Sequence, residues 1–348
     1  MQLQTTDFVP ANDALENQAE LRRRAAEDGF LFLRQWIDVE SITTLRAQVA
    51  QICERHGWVK AGSDASECIA EPSKACAEPE PDFYVIYRDI YKLEAFHDLA
   101  HATEIMDVMN GLVGDPVLVH PTNIARVVFP AKSVAATPPH QDFIHIQGAP
   151  ETFTCWIPLG DCPRELGGLV ALRGSHRAGI YDHQVTRGAG FLGVPDDDLA
   201  GDWQSIDYEI GDALIFHSHA VHRALPNTTD RLRLSVDYRY QSAREPIVAA
   251  FLDPHVANMR WEEVYAGWES SDKQYYWREF DLETVVRDSR FYDKRDAEAL
   301  ELARQGNDVA RPVLMRMIER EPDPSKRQVF EQALKELNQA VAAKKGDS

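Results

Sequence analysis

The chain has 348 residues, of which 37 are basic and 56 acidic, giving a formal net charge of −19. That balance argues against sequence-independent nucleic-acid binding, which needs a basic surface, and no run of about 18 apolar residues offers a membrane span. The length is enough for one sizeable core with peripheral helices, or for two small domains. Acidic residues outnumber basic ones 21 to 10 over 1–116 but only 14 to 10 over 117–241, so most of the excess reads as surface solvation. The opening MQLQTTDFVPANDALENQAE carries neither a basic leader nor an apolar region, against a secretory signal. Five cysteines (Cys53, Cys68, Cys76, Cys155, Cys162) are odd in number and form no CxxC pair, so a reducing cytoplasm is the expected location.

Residues 15–27 are helix-prone, Asp28-Gly29 ends them, and Phe30–Leu33 predicts a short apolar strand. Ile42, Leu45, Val49 and Ile52 then recur at helical spacing through Val39–His56. Residues 60–82, rich in proline and charge, predict a loop that is either mobile or a lid. A strand is expected at Phe83–Arg88, followed by a helical stretch from Leu93 to Leu112 that Gly114-Asp115-Pro116 closes. From Val117 to Tyr240 the texture becomes short β-rich segments: 117–120, 123–129, 143–147, 153–158, 169–172, 203–206, 213–217 and 232–240.

About eight short strands in succession predict a mainly β fold with flanking helices: a double-stranded β-helix, or cupin-like jelly roll, with helical additions at both ends. Residues 177–202 interrupt the series. They contain a literal GxGxxG at Gly188–Gly193, but without the strand–helix context of a dinucleotide site; a loop shaping access to the barrel mouth and a plain surface insertion both fit. Residues 242–295, with Trp261, Trp268 and Tyr275-Tyr276-Trp277, read as a cover packed on the core. From Asp296 two or three helices follow, whose apolar stripes pack on the parent domain or form a homodimer face. The expected division is 1–116, 117–241 and 242–348, within one folded unit.

Chemistry concentrates at His140-Gln141-Asp142, His222, Arg233 and Ser235. Two imidazoles and a carboxylate on one face of a metal, its other positions open, form the ligand set of Fe(II) oxygenases. His140 and Asp142 are two apart, so on an extended strand both side chains leave the same face. His222 ends the β-prone run GDALIFHSHAVH, and in RLRLSVDYRY alternation puts Arg231, Arg233, Ser235 and Asp237 on one face. The planar fork of Arg233 suits the distal carboxylate of 2-oxoglutarate, with the Ser235 hydroxyl adding a third hydrogen bond. Composition does not force the ligand assignment, because His145, His217 and His219 lie close in sequence; strand parity sets His217 and His219 opposite to His222 only if no bulge intervenes.

The HxD, the second histidine after FHSHAVH, Asn227 five beyond it and Arg233 together resemble the phytanoyl-CoA dioxygenase family of iron and 2-oxoglutarate oxygenases. AEDGFLFLRQWIDVESITTLRAQV (Ala26–Val49) is similar to that family's opening helix, strand and helix, and ELGGLVALRGSH to its mid-barrel hairpin, so the resemblance covers roughly Leu15–Gln241. It implies Fe(II) held by His140, Asp142 and His222, 2-oxoglutarate and O₂ as cosubstrates, and oxidation of an unactivated C–H bond of a small molecule with release of succinate and CO₂. Asp142 favours hydroxylation, or an allied desaturation or ring closure, over halogenation, since related halogenases carry a small residue there.

Trp156 matches the family's aromatic beside the cosubstrate, though a core tryptophan fits as well. Asn123 and Thr137 are candidates for polar contacts with the other end of 2-oxoglutarate, and Arg88 for a substrate anion or a surface ion pair. Ala224 departs from the small hydroxyl residue many relatives carry two after the distal histidine. Arg231 competes with Arg233 for the carboxylate, and the spacing favours Arg233. Two other function classes stay open: a cupin-like metal protein that binds or isomerises a ligand without O₂, and a protein hydroxylase. The Asn227 sequon reads as turn chemistry rather than glycosylation.

Overall fold

The computed structural model describes residues 3–346 except Pro79, Ser133 and Ala257. Two compact units divide the chain: 1–136, 141–180 and 200–287 form the first, and 137–140, 181–199 and 288–348 the second.

The first unit is built on two larger sheets, beside a short parallel pairing of Ile247–Val248 with Thr284–Val285. The strands are β1 (Thr6–Asp7), β2 (Phe30–Leu33), β3 (Val117–Val119), β4 (Ile124–Val128), β5 (Phe153–Pro158), β6 (Leu169–Leu172), β7 (Trp203–Ser205), β8 (Ala213–His217), β9 (His222–Ala224) and β10 (Arg233–Ser242). The larger sheet runs β2-β8-β5-β10-β3, with β4 also pairing β10, and the smaller runs β1-β9 through the order β1-β7-β6-β9. The N-terminal segment thus supplies one strand to each sheet. Alternation on the large sheet explains its two faces. Leu31, Cys155, Ile157, Ile215, Val236, Tyr238 and Tyr240 point to one core, shared with helices α1 (Gln18–Asp28), α2 (Val39–Arg55), α3 (Pro81–Tyr91) and α4 (Thr103–Val113). The Tyr238 and Tyr240 hydroxyls, buried there, donate to the carbonyls of Phe96 and Ala100.

On the opposite face Phe30, Phe32, Trp156, Leu214 and Phe216 meet Leu169, Ala171 and Ala224 of the small sheet in a second core. The sheets therefore pack face to face. Gly29, at φ +84°, ends α1 in the left-handed conformation and admits the sharp entry into β2.

Three expectations need correction. Phe83–Arg88 lies within helix α3, not a strand: Pro81 opens the helix at its first position, and Phe83, Ile86, Tyr87 and Ile90 recur at helical spacing on its buried side. Residues 143–146 form a single helical turn instead of a strand. The run Gly211–His222 is broken by the turn after His217, so His222 opens β9 rather than ending β8. The stretch expected as a loop is fastened to the chain before β10: Ala70 N–H donates to the Asp230 carbonyl, Leu232 N–H donates to the Cys68 carbonyl, and both bonds are 2.8 Å. Asn227 does turn work, its side chain taking Thr229 N–H and giving to the Arg231 carbonyl. All five cysteines are buried and unpaired, and Trp261 and Trp277 are buried in the first unit's core.

In the second unit, helices α5 (Arg290–Arg304), α6 (Arg311–Arg320) and α7 (Pro324–Gly346) bury Ala299, Ala303, Val313, Leu314, Met317 and Leu337 with Val185 and Phe191. The Gly188–Gly193 segment belongs to a two-residue ribbon pairing Gln184–Val185 with Leu192–Gly193, followed only by the single 3-10 turn Asp196–Asp198 and not by the helix a dinucleotide site needs. No helix among the described residues is long and apolar enough to cross a membrane.

Candidate metal centre

Asp142 sits at φ −62°, ψ −31°, at the head of the helical turn 143–146, so the extended geometry expected for the HxD motif is not what brings its side chains together. A stapled loop does that instead. The Gln141 side-chain amide donates to the carbonyls of Gly179 and His219 at 2.7 and 2.6 Å. Phe143 N–H donates to Ser218 at 2.9 Å, and its ring stacks on His219 at 4.3 Å. These contacts tie the loop carrying Asp142 to the turn that delivers His222. Among the described residues, His140, Asp142 and His222 form the group able to share one ion, each offering a ligand atom with all three atoms within 4.8 Å of one another.

Hydrogen bonding selects which atoms are offered. Nδ1 of His140 faces the Pro138 carbonyl at 2.9 Å, and Nδ1 of His222 faces the Ala220 carbonyl at 3.1 Å. A carbonyl only accepts, so both rings donate from Nδ1, and it is Nε2 that each turns toward the other ligand atoms, as metal-binding imidazoles do. His222 Nε2 lies 3.8 Å from Asp142 Oδ1. The other carboxylate oxygen, Oδ2, accepts from the Thr154 hydroxyl at 2.9 Å and lies 3.5 Å from Arg239 Nη2. Two imidazole nitrogens and one carboxylate oxygen suit a divalent transition ion such as Fe(II).

The competing histidines stand apart from this group. His217 Nδ1 accepts from His219 N–H at 3.0 Å and its Nε2 is 3.5 Å from Glu151, while His219 is half-buried against Phe143 and His145 lies in the 143–146 turn.

Along the inward face of β10, even spacing sets Arg233, Ser235, Asp237, Arg239 and Gln241 in a row, all buried. Arg233 is 3 % exposed, yet its Nε and Nη1 and the Ser235 hydroxyl have no hydrogen-bond partner. Burial lowers the proton affinity of the Arg233 guanidinium, which lies 5.8 Å from the Trp156 ring centre. A buried, unmatched guanidinium beside a free hydroxyl is a site for a carboxylate supplied from outside. Arg231 is exposed and outside the strand, so the face argument that made it a rival fails. Trp156 serves the core as well, edge-on to Tyr208 at 4.8 Å.

Asn123 is buried with its Nδ2 3.4 Å from His97 and its Oδ1 without a partner. Thr137 is half-buried in the loop three residues before His140. Arg88 lies on α3.

Sequence reasoning missed Thr154, Arg239 and the ion network in which Arg126 bonds Asp237 at 2.9 Å and Glu78 at 3.3 Å. The signal for Arg239 was present, since it continues the alternation of Arg233, Ser235 and Asp237. For Glu78 there was none, because a loop residue has no periodicity to read.

Residues 25–235 match the family model described as phytanoyl-CoA dioxygenase. The chain is 27 % identical over 253 residues to a 1-deoxypentalenic acid 11-beta-hydroxylase of Streptomyces exfoliatus, covering 68 % of this chain and 86 % of the relative. It is 24 % identical to a probable phytanoyl-CoA dioxygenase of Caenorhabditis elegans, over 64 % of this chain and 74 % of that one. Among solved structures, the epimerase SnoN in complex with Fe3+, alpha ketoglutarate and nogalamycin RO shares the fold at a TM-score of 0.50, with 20 % identity, 71 % of this chain and 92 % of that chain covered.

Proposed function

The chain belongs to the phytanoyl-CoA dioxygenase family, and from that membership we propose how its own residues divide the work. The protein is an Fe(II)- and 2-oxoglutarate-dependent dioxygenase that acts on a small molecule. When bound, the ferrous ion with 2-oxoglutarate and O₂ supplies the oxidising power that breaks an unactivated C–H bond, with succinate and CO₂ released.

His140, Asp142 and His222 hold the ion through Nε2, Oδ1 and Nε2. The Nδ1–H bonds of both imidazoles to backbone carbonyls fix the ring orientation and leave Nε2 as the atom offered to the metal. Arg233 takes the distal carboxylate of 2-oxoglutarate and Ser235 adds its hydroxyl, replacing the partners these buried atoms lack. Trp156 walls the cosubstrate on the side of Arg233, and Thr137 is the candidate polar contact for the other end of 2-oxoglutarate, while the Asn123 amide turns to His97 instead. The two face-to-face sheets form the family's double-stranded β-helix, with 117–241 as its catalytic core, extended by 1–116 and 242–348. Hydroxylation is the favoured outcome, because Asp142 keeps a carboxylate where a halide would otherwise bind and because the Streptomyces relative is named a hydroxylase. The buried, unpaired cysteines favour a reducing, cytoplasmic setting, and the α5–α7 helices are the candidate homodimer face.

The observation that carries this reading is the paired Nδ1–H orientation of His140 and His222 beside Asp142. Its test is anaerobic addition of 2-oxoglutarate to the Fe(II)-loaded protein, which should give the visible charge-transfer absorption of a chelated keto acid. Screening metabolites by succinate release under O₂ then identifies the substrate. Absence of the absorption at saturating Fe(II) and 2-oxoglutarate would reject the assignment.

A further inference from the structure

Thr154 on β5 and Arg239 on β10 are register partners, directly opposite each other on one rung of the large sheet. Their side chains leave the same, inward face and converge on one atom, Asp142 Oδ2: the Thr154 hydroxyl donates at 2.9 Å and Arg239 Nη2 lies at 3.5 Å. Thr154 is 1 % exposed and Arg239 5 %. Among the described residues, Asp142 is the carboxylate within ion-pair reach of Arg239, whose Nε has no partner. A buried guanidinium is costly unless it meets a carboxylate, so the rung is shaped around this one oxygen. The opposite oxygen, Oδ1, is the one that faces His222.

We propose that the Thr154–Arg239 rung is the positioning device of the metal centre: by holding Oδ2 it makes Asp142 a one-oxygen ligand and keeps an adjacent coordination position open for 2-oxoglutarate. The inference rests on the assignment of His140, Asp142 and His222 as the iron ligands. A carboxylate can bind through one oxygen or two, and the choice changes how many positions a six-coordinate ion has left. Fixing Oδ2 from the sheet decides that choice before the metal arrives. Groups that orient metal ligands in this way typically matter by about 10–100-fold in affinity or activity.

The two rung residues separate orientation from charge. Thr154→Val removes a hydrogen bond and no charge. Arg239→Gln removes a positive charge that repels the metal, so a purely electrostatic role predicts tighter Fe(II) binding and an unchanged 2-oxoglutarate titration. Positioning predicts that both variants, loaded with Fe(II) anaerobically, require roughly tenfold more 2-oxoglutarate to develop the charge-transfer absorption, with that absorption shifted and with Arg233 untouched. Thr154→Ser, which keeps the hydroxyl, should return the wild-type titration, and it covers the case in which Thr154→Val fails to fold; Arg239→Lys does the same for Arg239→Gln and should fall between wild type and glutamine.

Wild-type titration and spectrum in Thr154→Val, or tighter Fe(II) with an unchanged 2-oxoglutarate titration in Arg239→Gln, overturns the proposal. Loss of Fe(II) binding in Asp142→Ala alongside such a result leaves the ligand assignment standing and rejects the rung alone. Wild-type Fe(II) binding in Asp142→Ala rejects the ligand assignment itself.

Discussion

Two arginines on the inward face of the large sheet sit in opposite circumstances. Arg126 is matched inside the protein by Asp237 and Glu78, whereas Arg233 is more deeply buried and keeps two nitrogens without partners. Both are guanidinium groups withdrawn from water, and Ser235, which neighbours Arg126 in register, lies two residues along the strand from each of Arg233 and Asp237. The contrast teaches how to tell a structural ion pair from a ligand site: the first is complete as folded, and the second is complete only when a ligand carrying the missing acceptors arrives.

The largest effect expected bears on what the ligand site serves. Asp142→Ala or His222→Ala should lower succinate formation by more than about 100-fold, beyond what loss of a merely orienting group produces, as read by turnover at saturating Fe(II); activity within tenfold of wild type would remove these residues from the ligand set. Next come the two arginines themselves. Arg233→Met should raise the 2-oxoglutarate requirement by ~10–100-fold, the worth of about 1.5–3 kcal/mol for hydrogen bonds to a charged group, while leaving the ligand-free protein equally or more stable, because it deletes an unmatched buried charge. Arg126→Met should do the reverse and cost about 3 kcal/mol of stability, since Asp237 and Glu78 are left facing each other's charge. Denaturant unfolding of both variants without ligand checks this. Similar losses in the two would erase the distinction drawn between them.

A smaller effect follows from pH. Burial pushes His97 and His183 each down to about 4 and His120 to about 3. In the unfolded chain histidine takes up its proton near 6.5, so between that pH and 4 the unfolded state binds more protons than the folded one. Stability is therefore full above pH 6.5 and falls progressively as the pH drops toward 4. Melting scans at pH 7 and pH 5 in low-salt buffer should show the lower midpoint at pH 5, and a flat profile would mean these rings are not held neutral. The smallest effect is at Arg231, which is exposed: Arg231→Ala should shift the 2-oxoglutarate KM by no more than about twofold, within the range of ordinary surface substitutions.

What could be read from the chain beforehand depended on periodicity. The period-two alternation of β10 announced Arg233 and Ser235 on one face, and the boundaries 213–217 and 153–158 coincide with the observed strands β8 and β5 because each is a continuous β-prone run between turns. Alternation misled where the backbone leaves the strand conformation. Asp142 heads a helical turn, and the convergence of His140 with it comes from Gln141 and Phe143 fastening the loop to the 218–221 turn, a set of long-range hydrogen bonds with no local signature. Residues 83–88 were misread for a related reason: the aromatic and β-branched content of FYVIYR favours a strand locally, and the helix is decided by Pro81 and by packing of Phe83, Ile86 and Tyr87. Thr154 and Glu78 became visible only when the strands and the loop were placed in space.

The most direct test of the account is a crystal structure of the protein grown anaerobically with Mn(II) in place of Fe(II) and with 2-oxoglutarate. The expected result is one ion bonded to Nε2 of His140, Nε2 of His222 and a single oxygen of Asp142, with the distal carboxylate of 2-oxoglutarate on Arg233 and Ser235. An ion held instead by His217, His219 and Glu151, or a distal carboxylate bound to Arg126, would contradict it.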